Sequence, residues 1–326
     1  MQSRWKSSGW LVSASLISIT ALLKIRELQS LAIKPTTFTH FFFQLMKSRH
    51  LASCLLVSTG LFLPLLKAED PAEKVIWNNP QTFTAAGLSH HNYASAAMAT
   101  EVGYSVWLPP DYETSSARYP VIYFLHGMGG NESADAAGFS QILVKQLAAG
   151  KIPPVICVFP NGGKSGYRDH ADTHVNVESM LIRELVPLID KTYRTRADRN
   201  SRVLGGFSMG GGGSVRLALQ YPELFSAAAS WAGAIGRPQG DKFVAALDPH
   251  LLEQRSLTVR LLMIVGYEDL TYPWHAAPLE AFRTARYPFT LHTLEGVGHE
   301  LGKYYDLTGA EFATFLTKEF TAQPQS

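Results

Sequence analysis

From Val102 onward the chain alternates between two hydrophobic patterns. Short unbroken apolar runs stand at 102–108, 119–125, 154–159, 227–231, 259–266 and 289–294, each four to eight residues long and rich in Val, Ile, Leu, Phe or Tyr. Such runs predict strands buried on both faces. Between them, apolar residues recur at helical spacing over 134–149, 177–193, 243–252, 276–285 and 310–320. Met180, Leu181, Leu185, Leu188 and Ile189 are the clearest set. Strand and helix in alternation predict an α/β fold with a mostly parallel sheet covered by helices on both faces. Residues 69–100 carry no such pattern and are expected to lie irregularly over one edge of the sheet.

One stretch departs from simple alternation. Arg202-Val203-Leu204-Gly205-Gly206-Phe207 reads as a strand, Ser208 stands between glycines, and Val215, Leu217, Ala218 and Leu219 continue as a helix that starts at Met209. Gly206-Phe207-Ser208-Met209-Gly210 fits G-x-S-x-G, a strand-to-helix turn that exposes a serine hydroxyl beside a helix N-terminus. A barrel of eight strand-helix units would need a similar length, but this turn favours the open sheet.

The first 68 residues differ from the rest. They hold eight basic residues and one acid, Glu27, out of 29 basic and 27 acidic side chains in the whole chain. Setting them aside leaves 21 basic against 26 acidic, so the basic pI of 8.4 comes mostly from this leader. Met46-Lys47-Ser48-Arg49-His50 followed by an apolar run from Leu51 to Leu66, with Leu66-Lys67-Ala68 at its end, reads as a secretory signal peptide over 46–68. About 16 apolar residues fall short of the roughly 20 that span a bilayer. The stretch 1–45 reads as an overcalled start upstream of Met46. The expectation is a secreted or periplasmic protein with no stable membrane anchor after cleavage, and one catalytic domain over 69–326. No basic patch with interleaved aromatics appears, which argues against nucleic acid as partner. Cys54 falls in the leader and Cys157 in a strand run, where it reads as a small buried hydrophobe.

A serine hydroxyl needs a base, and the base an acid to orient it. Working loops of such sheets follow the carboxyl ends of the strands. His299, after the 289–294 strand, is the expected base. Gly266-Tyr267-Glu268-Asp269 follows the preceding strand and offers Asp269 as the acid, with Glu268 in reserve. The order Ser208, Asp269, His299 is the α/β-hydrolase order. The oxyanion donors are expected at the amides of Met209 and Met128, with Gly127 as reserve, the latter two in His126-Gly127-Met128-Gly129-Gly130. His126, Tyr167 and Trp274 are candidate substrate contacts, with Tyr167 able to stack on a sugar or aromatic acyl group. Asp169, His170, Asp172 and His174 are better read as a solvated polar loop than as a metal site. His299-Glu300 begins like H-E-x-x-H, but Lys303 stands where the second histidine would be.

With His126-Gly127-Met128-Gly129-Gly130, Pro160-Asn161-Gly162-Gly163, the Ser208 turn, Gly266-Tyr267-Glu268-Asp269 and Gly298-His299 in order, the chain resembles the esterase D family of α/β-hydrolases from about residue 104 to 320. That family includes feruloyl and acetylxylan esterases, S-formylglutathione hydrolases, siderophore esterases and secreted mycolyltransferases. The resemblance implies no metal and no organic cofactor, with Ser208, Asp269 and His299 as nucleophile, acid and base. Gly212-Gly213-Ser214 departs from the bulkier residue often found there, and looser packing behind the serine is expected. The function expected is a secreted serine esterase acting on a small-molecule or polysaccharide-linked ester, such as a feruloyl or acetyl ester. The alternatives are an acyltransferase on the same scaffold and a non-catalytic binding protein with a hydrolase fold. The acyl and alcohol parts of the substrate, and the oligomeric state, are not encoded in these motifs.

Overall fold

The computed structural model describes residues 75–236 and 256–321, within a compact unit from Lys74 to Ser326. The leader readings and the helix expected over 243–252 lie outside the described residues. Among the described residues no helix is long and apolar enough to cross a membrane.

Eight strands form one sheet in the order β1-β2-β4-β3-β7-β8-β9-β10. They are β1 (Leu88–Ser95), β2 (Thr100–Trp107), β3 (Val121–Leu125), β4 (Ile156–Pro160), β7 (Arg202–Phe207), β8 (Ala227–Trp231), β9 (Arg260–Gly266) and β10 (Phe289–Leu294). The six strands from β4 to β10 are mutually parallel, while β2 is antiparallel to both β4 and β1. A short hairpin of β5 (Asp169–His170) and β6 (Val175–Asn176) stands apart from it. The helices are α1 (Ala136–Ala148), α2 (Val177–Ser179, a π segment Met180–Leu185, then Val186–Thr192), α3 (Met209–Gln220), α4 (Ala276–Thr284) and α5 (Leu301–Thr317).

The unbroken apolar runs work as two interleaved sets. Along β3, Val121, Tyr123 and Leu125 enter the core layer that also holds Leu181, Leu185, Leu217 and Phe282 of α2, α3 and α4. Ile122 and Phe124 enter the opposite layer with Phe139 of α1 and Phe312 of α5. In β9, Leu261 and Met263 alternate with Leu262 and Ile264 in the same way. Side chains on a strand point to opposite faces in turn, so a strand covered on both sides has no polar position to spare.

Two expectations are corrected. Residues 88–95 form an edge strand rather than an irregular cover, paired with β2 over its full length. Its sequence, LSHHNYAS, hid this because six of its eight residues are half-covered or exposed and mostly polar. The last helix begins at Leu301, well before residue 310. Gly302 and Gly309 interrupt its pattern, yet Tyr304, Thr308, Phe312 and Leu316 hold one buried face at helical spacing. Gly309 is where Ile142 of α1 approaches, since an added Cβ would stand 2.9 Å from Ile142 Cδ1.

The second layer centres on Trp231. Its ring stacks on Phe312 with centroids 3.6 Å apart, and Phe124 and Phe139 close around both. Phe312→Ala removes a fully buried ring from this cluster, so chemical denaturation is expected to show a loss of about 3–5 kcal/mol.

Candidate active site

The Ser208 turn is fixed by close backbone approach. Ser208 has φ 55° and ψ −117°, a conformation disfavoured for a residue with a Cβ. It is clamped from both sides: its N–H donates to Trp231 O at 2.9 Å, and its carbonyl accepts from Gly212 N and Ala234 N at 3.0 Å each. The flanking glycines are steric requirements. An added Cβ on Gly206 would stand 2.5 Å from Leu125 O, and one on Gly210 only 1.9 Å from the same oxygen. The packing behind the serine is tight, contrary to the expectation from Gly212-Gly213-Ser214. A Cβ on Gly212 would meet Ala234 O at 2.5 Å, and one on Gly213 would meet the Tyr167 ring at 2.9 Å. Small residues here admit neighbours rather than leave space.

Strand order brings the remaining groups to this turn. β9 ends at Gly266 and its loop carries Asp269; β10 ends at Leu294 and its loop carries His299. His299 Nε2 lies 2.9 Å from Ser208 Oγ, and His299 Nδ1 lies 2.9 Å from both Asp269 carboxylate oxygens. A carboxylate only accepts, so it selects the tautomer with the proton on Nδ1 and leaves Nε2 bare toward the serine hydroxyl. The imidazole also lies over Phe207, with ring centroids 4.7 Å apart.

Asp269 is 3% exposed. Burial alone raises its pKa, but the bonds from His299, the Thr271 amide and the Thr271 hydroxyl outweigh this, and the net pKa lies below the ordinary aspartate value. The Thr271 N–H and hydroxyl each donate at 2.8 Å. Tyr304 OH donates at 2.9 Å to the second oxygen while accepting from Gly266 N at 2.8 Å. Glu268, the reserve acid, has another occupation: it accepts from Val297 N at 3.0 Å and so pins the loop of His299.

Neither Thr271 nor Tyr304 was singled out by sequence reasoning. Thr271 could have been found from the Asp-x-Thr spacing, which suits a side chain closing a turn on its own backbone. Tyr304 required knowing that the last helix starts at Leu301.

On the other side of Ser208 stands the loop after β3. A Cβ on Gly127 would lie 3.5 Å from Ser208 Cβ, so this backbone borders the serine. Met128 leaves its side chain 56% exposed. The amide of Met209 belongs to the first turn of α3, ahead of its first intrahelical bond, and so needs an acceptor from outside the helix.

Two of the three candidate substrate contacts have interior positions instead. His126 is 2% exposed; its Nδ1 lies 2.7 Å from Gly127 O and its Nε2 accepts from Gly162 N at 2.9 Å. These partners require the neutral Nδ1–H form, and burial pushes its pKa down to about 4. Tyr167 is fully buried, with φ 55°, its hydroxyl donating to His126 O at 3.2 Å and its carbonyl accepting from Arg216. It is a wall behind the site, not a stacking surface. Trp274 is half-buried in the short turn Tyr272–His275 that follows Asp269. Asp169 accepts from Ser179 N and Oγ at the start of α2, and His170 Nε2 lies 2.7 Å from Ser165 O. Among the described residues no group of three His, Cys, Asp or Glu is placed to hold a metal ion. Cys157 is buried and its thiol pKa is raised by burial, as suits a packing residue.

This architecture is the α/β-hydrolase fold. It superposes on a ferulic acid esterase with TM-score 0.64 and 23% identity, covering 72% of this chain and 98% of the other. An S-formylglutathione hydrolase from Agrobacterium tumefaciens aligns with TM-score 0.57 and 19% identity, over 75% of this chain and 98% of that one. Residues 95–322 match the family described as "Putative esterase", and the chain belongs to that family. In sequence it is 37% identical over 150 residues to an esterase of Mycobacterium tuberculosis, covering 45% of this chain and 32% of the relative. It is 36% identical over 130 residues to an endo-1,4-beta-xylanase/feruloyl esterase of Xylanibacter ruminicola, covering 37% and 18% respectively. The chain thus spans a third or less of the length of these relatives.

Two outcomes follow from the geometry. Tyr304→Phe removes one donor to Asp269 and orphans Gly266 N–H, and kcat/KM for an activated ester is expected to fall roughly five- to thirtyfold, the worth of about 1–2 kcal/mol. The second concerns His126. Its folded-state pKa lies below the free value of 6.5, so the unfolded chain takes the proton first as the solution is acidified. The stabilisation is complete above pH 6.5 and is lost as pH falls through about 4, amounting to about 3 kcal/mol. Urea melts of the wild type and of His126→Gln across pH 7.5 to 4 should differ by this slope.

Proposed function

We propose that the chain is a serine esterase that hydrolyses carboxylic esters through an acyl-enzyme. The observation that supports this most is the unbroken line of hydrogen bonds from Asp269 through His299 to Ser208. In this reading His299 Nε2 takes the proton of Ser208 as Oγ adds to the ester carbonyl. The amides of Met209 and Met128, with Gly127 in reserve, hold the oxyanion of the tetrahedral intermediate. His299 then returns the proton to the leaving alcohol, and water attacks the acyl-serine by the same route. Asp269 stays ionised throughout, held so by His299, Thr271 and Tyr304.

The substrate proposed is an ester of an aromatic or acetyl acid with a carbohydrate. The names of the feruloyl-esterase relatives support it. So do the exposed large side chains beside the site residues in the chain: Met128, and Tyr267, Leu270 and Tyr272 around Asp269, each leave 36% or more of their surface exposed. Such side chains suit an uncharged acyl group. The leader sequence supports action outside the cytoplasm.

Ser208→Ala is expected to lower kcat on p-nitrophenyl acetate by about 10⁴-fold or more, and Asp269→Asn by about 10⁴-fold. A fluorophosphonate probe should label the wild-type protein and not Ser208→Ala. Turnover that persists in Ser208→Ala, or labelling at another residue, would rule the reading out. A panel of feruloyl, acetyl-sugar and p-nitrophenyl esters then fixes the acyl preference.

A further inference from the structure

Glu132 is a fully buried carboxylate outside the Ser208 site, and nothing in the proposed chemistry uses it. Such a group is costly to bury unless its oxygens are met by donors. Here Oε1 accepts from Asn79 N at 2.5 Å and lies 3.0 Å from His90 Nε2, while Oε2 accepts from Asn161 Nδ2 at 2.7 Å and Asn79 Nδ2 at 3.1 Å. Gly103 makes the room, since a Cβ there would stand 2.2 Å from Oε1. The donors come from three separate pieces of chain: the segment before β1, strand β1 itself and the loop after β4. Asn161 also donates to Ile76 O and accepts from Gly163 N.

The connections run on toward the nucleophile. Glu132 is in the same loop as Gly127 and Met128. Asn161, held by Glu132, precedes Gly162, whose N–H donates to His126 Nε2, and His126 Nδ1 in turn holds Gly127 O. Gly127 O also accepts from Gly130 N, which closes the loop on itself. We infer that Glu132 is a positioning residue: through Asn161 and His126 it fixes the direction of the Met128 amide, which shares its peptide plane with Gly127 O, and the segment Ile76–Asn79 straps that anchor in place. This rests on the esterase reading, in which that amide meets the oxyanion. A peptide plane whose carbonyl is held cannot turn its N–H away, and a donor that must not reorganise during reaction is worth most in a site of this kind.

The test uses the full chain carrying Glu132→Gln, Glu132→Asp and, separately, Asn161→Ala, with active sites counted by fluorophosphonate titration. Glutamine keeps the shape but presents an NH2 group to donors. Two quantities are read per active site: kcat and KM on p-nitrophenyl acetate, and Ki for a trifluoromethyl ketone, whose adduct with Ser208 carries the oxyanion. Glu132→Gln is expected to lower kcat about tenfold to a hundredfold with KM within about twofold, and to raise Ki by the same factor as kcat/KM falls. Glu132→Asp should recover part of both. Asn161→Ala leaves Glu132 its bonds to Asn79 and His90 and should show the same paired loss, so the outcome does not hang on one variant folding. Unchanged kcat and Ki per titrated site in either Glu132→Gln or Asn161→Ala would overturn the inference, even if melting temperature fell. Failure of Ser208 labelling in the wild type would instead overturn the esterase reading beneath it.

Discussion

The site depends on one close approach, that of the first turn of α3 to the carbonyl oxygen of Leu125. No side chain fits between them, because a Cβ on Gly210 would lie 1.9 Å and one on Gly206 2.5 Å from that oxygen. The contact couples two things that the proposed chemistry needs together. Ser208 sits at the turn into α3, and the loop of Gly127 and Met128 leaves β3 immediately after Leu125. Their separation is therefore set by backbone packing between neighbouring strands rather than by side chains, which makes it insensitive to rotamer choice. The disfavoured torsions of Ser208 are tolerated for the same reason: Trp231 O, Gly212 N and Ala234 N hold its peptide groups from three directions.

Around that contact the sheet order distributes the remaining parts. β7 lies between β3 and β8, so the Ser208 turn has the loop of Gly127 and Met128 on one side and Trp231 and Ala232 on the other. Asp269 and His299 come from the next two strands outward, β9 and β10. Each functional side chain is supported from behind by a group that the core layers deliver: Phe207 under His299, and Tyr304 of α5 against Asp269. Tyr304 reaches that place because the same helix buries Phe312 against Trp231 two turns further on. Packing in the second core layer and the ionisation of Asp269 are in this sense one construction.

Much of this was legible in the sequence, and what was not has a physical reason. The run over 227–231 coincides to the residue with β8, buried throughout, and the run over 289–294 with β10, a half-covered edge strand that Phe289, Leu291 and Leu294 still mark as apolar. Ser208, Asp269 and His299 could be singled out because each follows a strand that periodicity had already located. Edge strand β1 was missed because its half-covered positions carry mostly polar residues, Ser89, His90 and His91, where β10 keeps Phe289, Leu291 and Leu294. His126 and Tyr167 were misjudged for a different reason. A polar ring on a loop at the working end of a sheet looks available to a substrate, but whether it faces outward depends on what the neighbouring loop offers it. Here the Gly162 amide and the Gly127 and His126 carbonyls turned both rings inward. Sequence pattern reports burial of apolar groups well, because the driving force is proportional to area; it reports pairing of polar groups poorly, because that depends on residues far apart in the chain.

The two buried carboxylates show what such pairing does. Asp269 and Glu132 are each removed from water, and each is met by donors from several segments: the His299 loop, the Thr271 turn and α5 for one; the pre-β1 segment, β1 and the post-β4 loop for the other. An apolar residue in either place would fill the volume without specifying direction. A carboxylate with every lone pair assigned fixes the orientation of each donor, and through it the loop that the donor belongs to. The arrangement places one such anchor behind His299 and the other behind the loop of Gly127 and Met128, on opposite sides of Ser208. The serine itself then requires little support beyond its own backbone, since the groups beside it are held from outside by buried hydrogen bonds.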